Sequence, residues 1–307
     1  MKKIIALLLT IATLCTAALA AVSCGEQTEA LDKAYNKYLA EVKAPTDAEK
    51  TLTVATSPDF APLEFVDLAK SGQDSVVGFD ILLANYIAKQ LNMKLVVKTV
   101  SFDAAMTAVQ TGQADLGMSG FSWTAKRAES FNISTGYEAG EAASDQVIVT
   151  KAGVTFSSVA DFAGKTVGAQ GASLQEMLTK EQLVPAGAKL QQFSKTDEAI
   201  TALKAGQVDA VALEQGNADA VLANNSDLHL SGFKFEVDDK YKYNVILINK
   251  NNDELLAQVN EILAELKAKN VFNDWYDACK VYANVGTLDD LGFDDDGNKI
   301  KKDDAAE

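Results

Sequence analysis

Arginine is almost missing from this chain. Of its 28 basic residues, one is arginine, Arg127, and the rest are lysine. A genome that trades arginine for lysine explains the scarcity but not the position of the one that remains. Histidine is equally rare, with His229 alone, and the cysteines are Cys15, Cys24 and Cys279. The first two fall in or at the end of the leader described below, so the body keeps only Cys279 and no intrachain disulfide is open to it. One cysteine and one histidine, far apart in sequence, are too few ligands for a Cys/His zinc site and a poor basis for a thiol enzyme. Basic residues are also short in number overall, and the formal net charge is -15. That argues against nucleic acid and an anionic membrane surface as electrostatic partners. No nucleophile, base and orienting residue stand together as a catalytic set, and neither a metal nor another cofactor is expected.

What is present begins with a targeting segment. Lys2 and Lys3 precede an apolar run over 4–14, and small residues then lead to Cys24 in Ala21-Val22-Ser23-Cys24-Gly25. The pattern resembles a bacterial lipoprotein signal, which implies that Cys24 becomes the acylated N-terminus, with Ala21 where such signals usually carry leucine. Threonines 10, 13 and 16 interrupt the run, which is barely long enough to span a bilayer uncleaved. The expected division is a signal over 1–23, a lipidated tether over 24–50, a first lobe over 51–146, a second over 147–240, a return to the first over 241–285 and an acidic tail over 286–307. In the tether, Leu31, Ala34, Tyr35, Tyr38 and Leu39 recur at helical spacing before Pro45. Poor order is expected from Gly286 onward. Asp294-Asp295-Asp296-Gly297-Asn298 has the outline of a calcium loop without its closing glutamate.

Between tether and tail the periodicity changes in a regular way. Strand patterns at 51–55, 94–100 and 116–118 alternate with helical ones at 78–91 and 103–110. That order implies a parallel sheet with ligands at the carboxyl ends of its strands. Two closely spaced prolines make 57–65 a rigid loop that presents Phe60. A strand at 146–150 leaves this lobe, and the pattern begins again: strands at 165–169, 190–193 and 208–213, helices at 158–163 and 196–204. Another helix begins at Ser173, in a Ser-Leu-Gln-Glu capping box. A strand over 241–248 returns to the first lobe, and helices follow at 252–267 and 273–282.

Arg127 ends the stretch Ser-Gly-Phe-Ser-Trp-Thr-Ala-Lys-Arg over 119–127, just after a short buried strand. Thr124 can cap a helix beginning at Ala125. Backbone amides, hydroxyls and one guanidinium would converge, and the planar fork of arginine matches a carboxylate in a way lysine cannot copy. Ser173, capping a second helix, offers another anion-favouring N-terminus. Glu214 stands at the end of a strand, where a carboxylate suits a cation. Trp123 is read as packing, Glu64 as a structural hydrogen-bonding group, His229 as a surface residue and Cys279 as buried in the last helix.

Five motifs in order, over 51–282, resemble the polar amino-acid-binding proteins of ABC importers, the family 3 solute-binding proteins. They are 57–65, Val77-Gly78-Phe79-Asp80, 119–127, 167–176 and Ala205-Gly206-Gln207-Val208-Asp209-Ala210-Val211. The resemblance implies an α/β fold of the type II periplasmic-binding-protein kind. Two lobes are joined by two hinge strands, near 146–150 and 237–243, and close on ligand like a trap. It implies that Arg127 grips an α-carboxylate, with Ser119, Gly120 and Ser122 around the carboxylate and ammonium. Ser173 would reach the same carboxylate from the second lobe, Glu214 would take the ammonium, and Phe60 and Phe102 would pack on the ligand side chain. Two departures stand out. Ala172 replaces a frequent glycine before Ser173, where a β-carbon crowds the cradle. Ser57 replaces the aspartate of cation-binding members, which argues for a neutral ligand, although Asp59 lies two residues away.

The expected function is thus capture of a neutral or polar amino acid outside the cytoplasm, by a monomer held to the membrane through Cys24, and delivery to permease subunits of an ABC transporter. A sensor of the same fold is the alternative. A dehydratase acting on prephenate-like acids, with Glu64 and Glu214 as acid or base, is a more distant one.

Overall fold

The structure, a computed structural model, describes residues 31–137 and 145–300. The signal segment and Cys24 lie outside the described residues. Among the described residues no helix is long and apolar enough to cross a membrane.

The chain enters as a helix, α1 (Lys33–Val42), and then forms β1 (Thr51–Thr56). A small antiparallel sheet follows: β2 (Asp59–Phe60), β3 (Glu64–Val66) and β4 (Val76–Val77). Next come α2 (Phe79–Gln90), β5 (Lys94–Thr99), α3 (Phe102–Gln110), β6 (Leu116–Gly117), α4 (Ala125–Ser130) and β7 (Phe131–Ile133). Gly78, which precedes α2, has φ +123, and a β-carbon there would lie 2.3 Å from the Leu63 carbonyl oxygen. Only glycine allows β3 and the start of α2 to approach so closely. The helix that follows is apolar nearly all round and is buried against α1 and the main sheet, with Phe79, Leu82, Leu83 and Ile87 in one core.

The second half runs β8 (Gln146–Lys151), β9 (Thr166–Gln170), α5 (Leu174–Leu178), β10 (Lys189–Phe193), α6 (Thr196–Ala205), β11 (Ala210–Glu214), α7 (Gln215–Ala223) and β12 (Leu228–Lys234). The chain then returns through β13 (Leu247–Asn249), α8 (Asp253–Lys269) and α9 (Phe272–Tyr282). Two five-stranded sheets result, ordered β5-β1-β6-β13-β7 and β10-β9-β11-β8-β12. Within them β5, β1 and β6 are parallel, as are β10, β9 and β11, while β8 and β13 run antiparallel to their neighbours. This is the two-lobe α/β architecture that the alternation of periods implies, each lobe with its own apolar core.

Several expectations change. The 146–150 segment is no mere connector, because β8 lies between β11 and β12 inside the second sheet. The return strand is short. Residues 239–241 form a 3-10 turn, and Asn244 bridges Ser122 and Tyr137 before β13 begins at Leu247. The helix α7 and the strand β12 were not anticipated. The residues after Gly286 do not stand apart as far as residue 300. Phe293 is fully buried against Ala34, Ala278 and Val281, and the Lys299 ammonium bonds Asp277 at 2.8 Å. In the acidic loop Asp294 accepts from the backbone of Asp296 and Asn298, so that carboxylate is used in closing its own turn.

Candidate ligand-binding site

The carboxyl ends of both sheets face one another, and the residues singled out from sequence meet there. A small pocket is lined by Phe60, Phe102, Ser119, Gly120, Ser122, Arg127 and Ser173, together with Gln170, Leu174 and Gln175. The last three come from the second lobe and were not anticipated. Gln170 ends β9 and Gln175 lies in the first turn of α5, positions that follow from the Ser173 cap.

Local sequence explains how Arg127 reaches the pocket. The Thr124 hydroxyl accepts from the Arg127 amide at 3.1 Å, which starts α4 and fixes the side chain's point of departure. Arg127 as a whole is 6 % exposed. Its guanidinium stacks over Phe102 and Phe121 at 5.5 and 5.1 Å from the ring centroids. One terminal nitrogen donates to the Ser122 carbonyl at 2.5 Å and the other to the Ala172 carbonyl at 2.9 Å. The second of these bonds crosses from lobe one to lobe two. Among the described residues no carboxylate lies within ion-pairing distance, and desolvation alone pulls the guanidinium down to about 10. Two carbonyls occupy two of five N–H donors. A buried cation is costly without an anion beside it, and a carboxylate entering the pocket offsets that cost.

The Ser119–Gly120 loop is braced from below. The Ser119 hydroxyl donates to Glu64 at 2.8 Å and accepts from the Ser57 amide at 3.0 Å. The Gly120 amide donates to Asp80 at 3.1 Å, and the Tyr137 hydroxyl donates to the other Asp80 oxygen at 2.7 Å. Gly120 has φ +57, and a β-carbon there would press on the Phe60 ring at 3.1 Å. Glu64 and Asp80 are completely buried. Burial, and then the Asp80 charge, push Glu64 well above the carboxylate range. Burial raises Asp80 to about 6 against the bonds from Tyr137 and Gly120. Glu64 therefore supports the loop, through Ser119 and through its strand pairing with Phe60, and does not itself line the pocket.

On the second lobe, Ala172 adopts φ +63, the left-handed conformation natural to the glycine it replaces. Its carbonyl nonetheless receives Arg127, so the β-carbon has not displaced the backbone from the cleft. The capping box is shifted by one residue. The Ser173 hydroxyl accepts from the Glu176 amide at 3.1 Å, but the Glu176 carboxylate accepts from Ala172, not Ser173, at 2.6 Å. The Ser173 hydroxyl also donates to the Gln170 carbonyl at 2.7 Å and is thus tied into its own turn.

Two expected residues are not brought to the pocket lining: Ala172, which meets the site only through its carbonyl bond from Arg127, and Glu214. The two oxygens of Glu214 accept from the Gly216 and Asn217 amides at 2.9 and 3.0 Å and cap α7. Burial lifts it to about 8 despite those bonds. It stands opposite Gln146 in the β11–β8 register, and Gln146 accepts from Gln175 of the pocket at 2.8 Å. Trp123 packs on Tyr241 at 6.5 Å, Cys279 is fully buried in α9, and His229 is half-buried on β12.

Comparison with known proteins places this geometry. The family model for bacterial extracellular solute-binding proteins, family 3, matches residues 52–278. The arginine-binding extracellular protein ArtP of Bacillus subtilis is 29 % identical over 219 residues, 71 % of this chain and 82 % of that protein. The histidine-binding periplasmic protein of Salmonella typhimurium is 27 % identical over 230 residues, 72 % of this chain and 84 % of that protein. Among solved structures, the substrate-binding protein AbpA of an amino acid ABC transporter from Streptococcus pneumoniae, bound to L-arginine, superposes with a TM-score of 0.69. It is 35 % identical and covers 76 % of this chain and 97 % of its own. An ancestral arginine-binding protein bound to glutamine gives a TM-score of 0.65 at 33 % identity, covering 73 % and 95 %. This family is one of substrate-binding transport proteins, not of enzymes. With its two α/β lobes and a cation buried between them, the chain belongs to the bacterial extracellular solute-binding proteins of family 3.

Proposed function

We propose that the protein captures a neutral or polar amino acid in the pocket between its lobes and delivers it to the permease of an ABC importer. In this reading it is a monomer, held outside the cytoplasm by a lipid on Cys24. The observation that carries it is the charge of the pocket lining. Arg127 supplies a buried cation suited to an α-carboxylate, and among the described residues no acidic side chain lines the pocket. Ser57 puts a hydroxyl where cation-binding members carry aspartate, and that hydroxyl donates to Asp59 at 2.5 Å. Asp59 in turn bonds Gln170 and Thr196 of the second lobe and is not part of the pocket lining.

Arg127 takes the carboxylate, Ser119, Gly120 and Ser122 surround it from lobe one, and Ser173 closes over it from lobe two. Phe60 and Phe102 hold the side chain. Glu214 acts on the ammonium from behind Gln146 and Gln175, and a cation near it favours its charged form. Closure follows because ligand contacts both lobes only when they meet.

The test is a thermal-shift screen of the purified chain against the common L-amino acids. Ligand that binds only the native state raises the melting temperature by mass action. A neutral or polar amino acid is expected to give the largest rise. A larger rise with arginine or histidine overturns the side-chain reading, and no rise with any amino acid overturns the function.

A further inference from the structure

The loop between Pro58 and Pro62 does more than present Phe60. Asp59, 8 % exposed, sends its side chain away from the amino-acid pocket toward the other lobe. One carboxylate oxygen accepts from the Thr196 amide at 2.5 Å and from the Gln170 side-chain amide at 3.1 Å. The other accepts from the Ser57 hydroxyl within its own loop. Thr196 is the first residue of α6, and the residue before it is Lys195, which has no side-chain acceptor to offer. The first N–H groups of a helix have no partner inside it. Here the partner for one of them comes from the opposite lobe.

A second bond of the same kind lies beside it. The Asn217 side-chain amide, in the first turn of α7, donates to the Ala61 carbonyl at 3.0 Å. Both lobe-one acceptors sit on one short segment bracketed by prolines, so they are presented as a rigid pair at little entropic cost. Lobe separation breaks both together and leaves the α6 amide to water. Gln170 links this contact to the ligand, because it also lines the pocket.

We propose that Asp59 is a positioning residue that latches the lobes shut, by capping α6 across the cleft, independently of any bound amino acid. It raises ligand retention without touching the ligand. Because Asp59 and Thr196 belong to different lobes, their bond contributes nothing to the folding of either lobe alone and reports closure only.

The test uses the ligand-free full chain. Amide hydrogen exchange is followed at Thr196 and along β9 in the wild type, Asp59→Ala and Asp59→Asn, with small-angle scattering on each. Exchange at Thr196 is expected to quicken by about tenfold or more in Asp59→Ala, with a larger radius of gyration, while β9 stays protected as the folding control. Asp59→Asn keeps one oxygen acceptor and falls between the two. Equal Thr196 exchange in the wild type and a folded Asp59→Ala overturns the latch. If Asp59→Ala fails to fold, Asp59→Asn decides on the same comparison. An equimolar mixture of the common L-amino acids is then added. Failure of that mixture to bind counts against the amino-acid reading, whereas the ligand-free comparison alone decides the latch.

Discussion

Arg127 and Ala172 meet at a bond that each would make differently with another side chain. A lysine at 127 keeps the charge and loses the fork, so it cannot hold the Ser122 and Ala172 carbonyls while facing a carboxylate. Titration calorimetry of Arg127→Lys, with the amino acid that the thermal screen selects, is expected to show affinity reduced more than tenfold, at least about 1.4 kcal/mol. Affinity close to wild type would remove the arginine from the site. At Ala172 the left-handed backbone costs about 1 kcal/mol for a residue with a β-carbon. Glycine removes that cost and adds about 0.5 kcal/mol of unfolded-state entropy. Urea denaturation of Ala172→Gly is expected to show a gain of about 0.5 kcal/mol from these two terms. Arg127 was legible from sequence because it is unique and follows a strand, two hydroxyls and a cap. Glu214 was harder to read. A strand-end carboxylate can face a cleft or cap the next helix, and two free amides at 216 and 217 satisfy it at short range.

At the scale of elements, the N-terminal helix is the clearest gain over the sequence. Its periodicity identified an apolar face but not the surface it covers. The face packs on α2 and α9, with Tyr35 fully buried and its ring 5.0 Å from that of Tyr282. Removing such a ring leaves a cavity in the lobe-one core, so Tyr35→Ala is expected to cost about 3–5 kcal/mol in chemical denaturation. An unchanged midpoint would mean that the helix is a detached tether. The helix α7 is hard to see in the sequence because Gln-Gly-Asn-Ala-Asp-Ala carries almost no amphipathic period, and its start is set by Glu214. The segment after Gly286 is acidic and lysine-rich, a composition that reads as disorder. One aromatic side chain, Phe293, nevertheless anchors it by filling a gap between α1 and α9.

For the whole molecule, buried acids set the response to pH. Asp80 is raised to about 6 and Glu214 to about 8, and Glu64 lies well above its usual value. Between about pH 4.5 and pH 8 the folded chain therefore holds protons that the unfolded chain has released, and stability falls as pH rises through that window. Lowered carboxyls, Asp67 and Glu176 among them, work in the opposite direction and lose their contribution as the pH falls into the acid range. Scanning calorimetry is expected to show the melting temperature declining from about pH 5 to pH 8, less steeply in Glu64→Gln. A rise over the same range would mean that these carboxyls are solvated.

The sequence by itself determined the two α/β lobes, the loop that presents Phe60, and most of the pocket. These rest on local signals: apolar period, proline spacing, helix caps and one guanidinium at a strand's end. Tertiary structure alone decided that Asp59 serves the opposite lobe, that Glu214 caps α7, that Glu64 and Asp80 brace one loop, and that α1 and the segment around Phe293 fold onto each other. In each of the polar cases a group had more than one chemically acceptable partner nearby. The choice was made by which donors packing had left unsatisfied, and no local pattern records that.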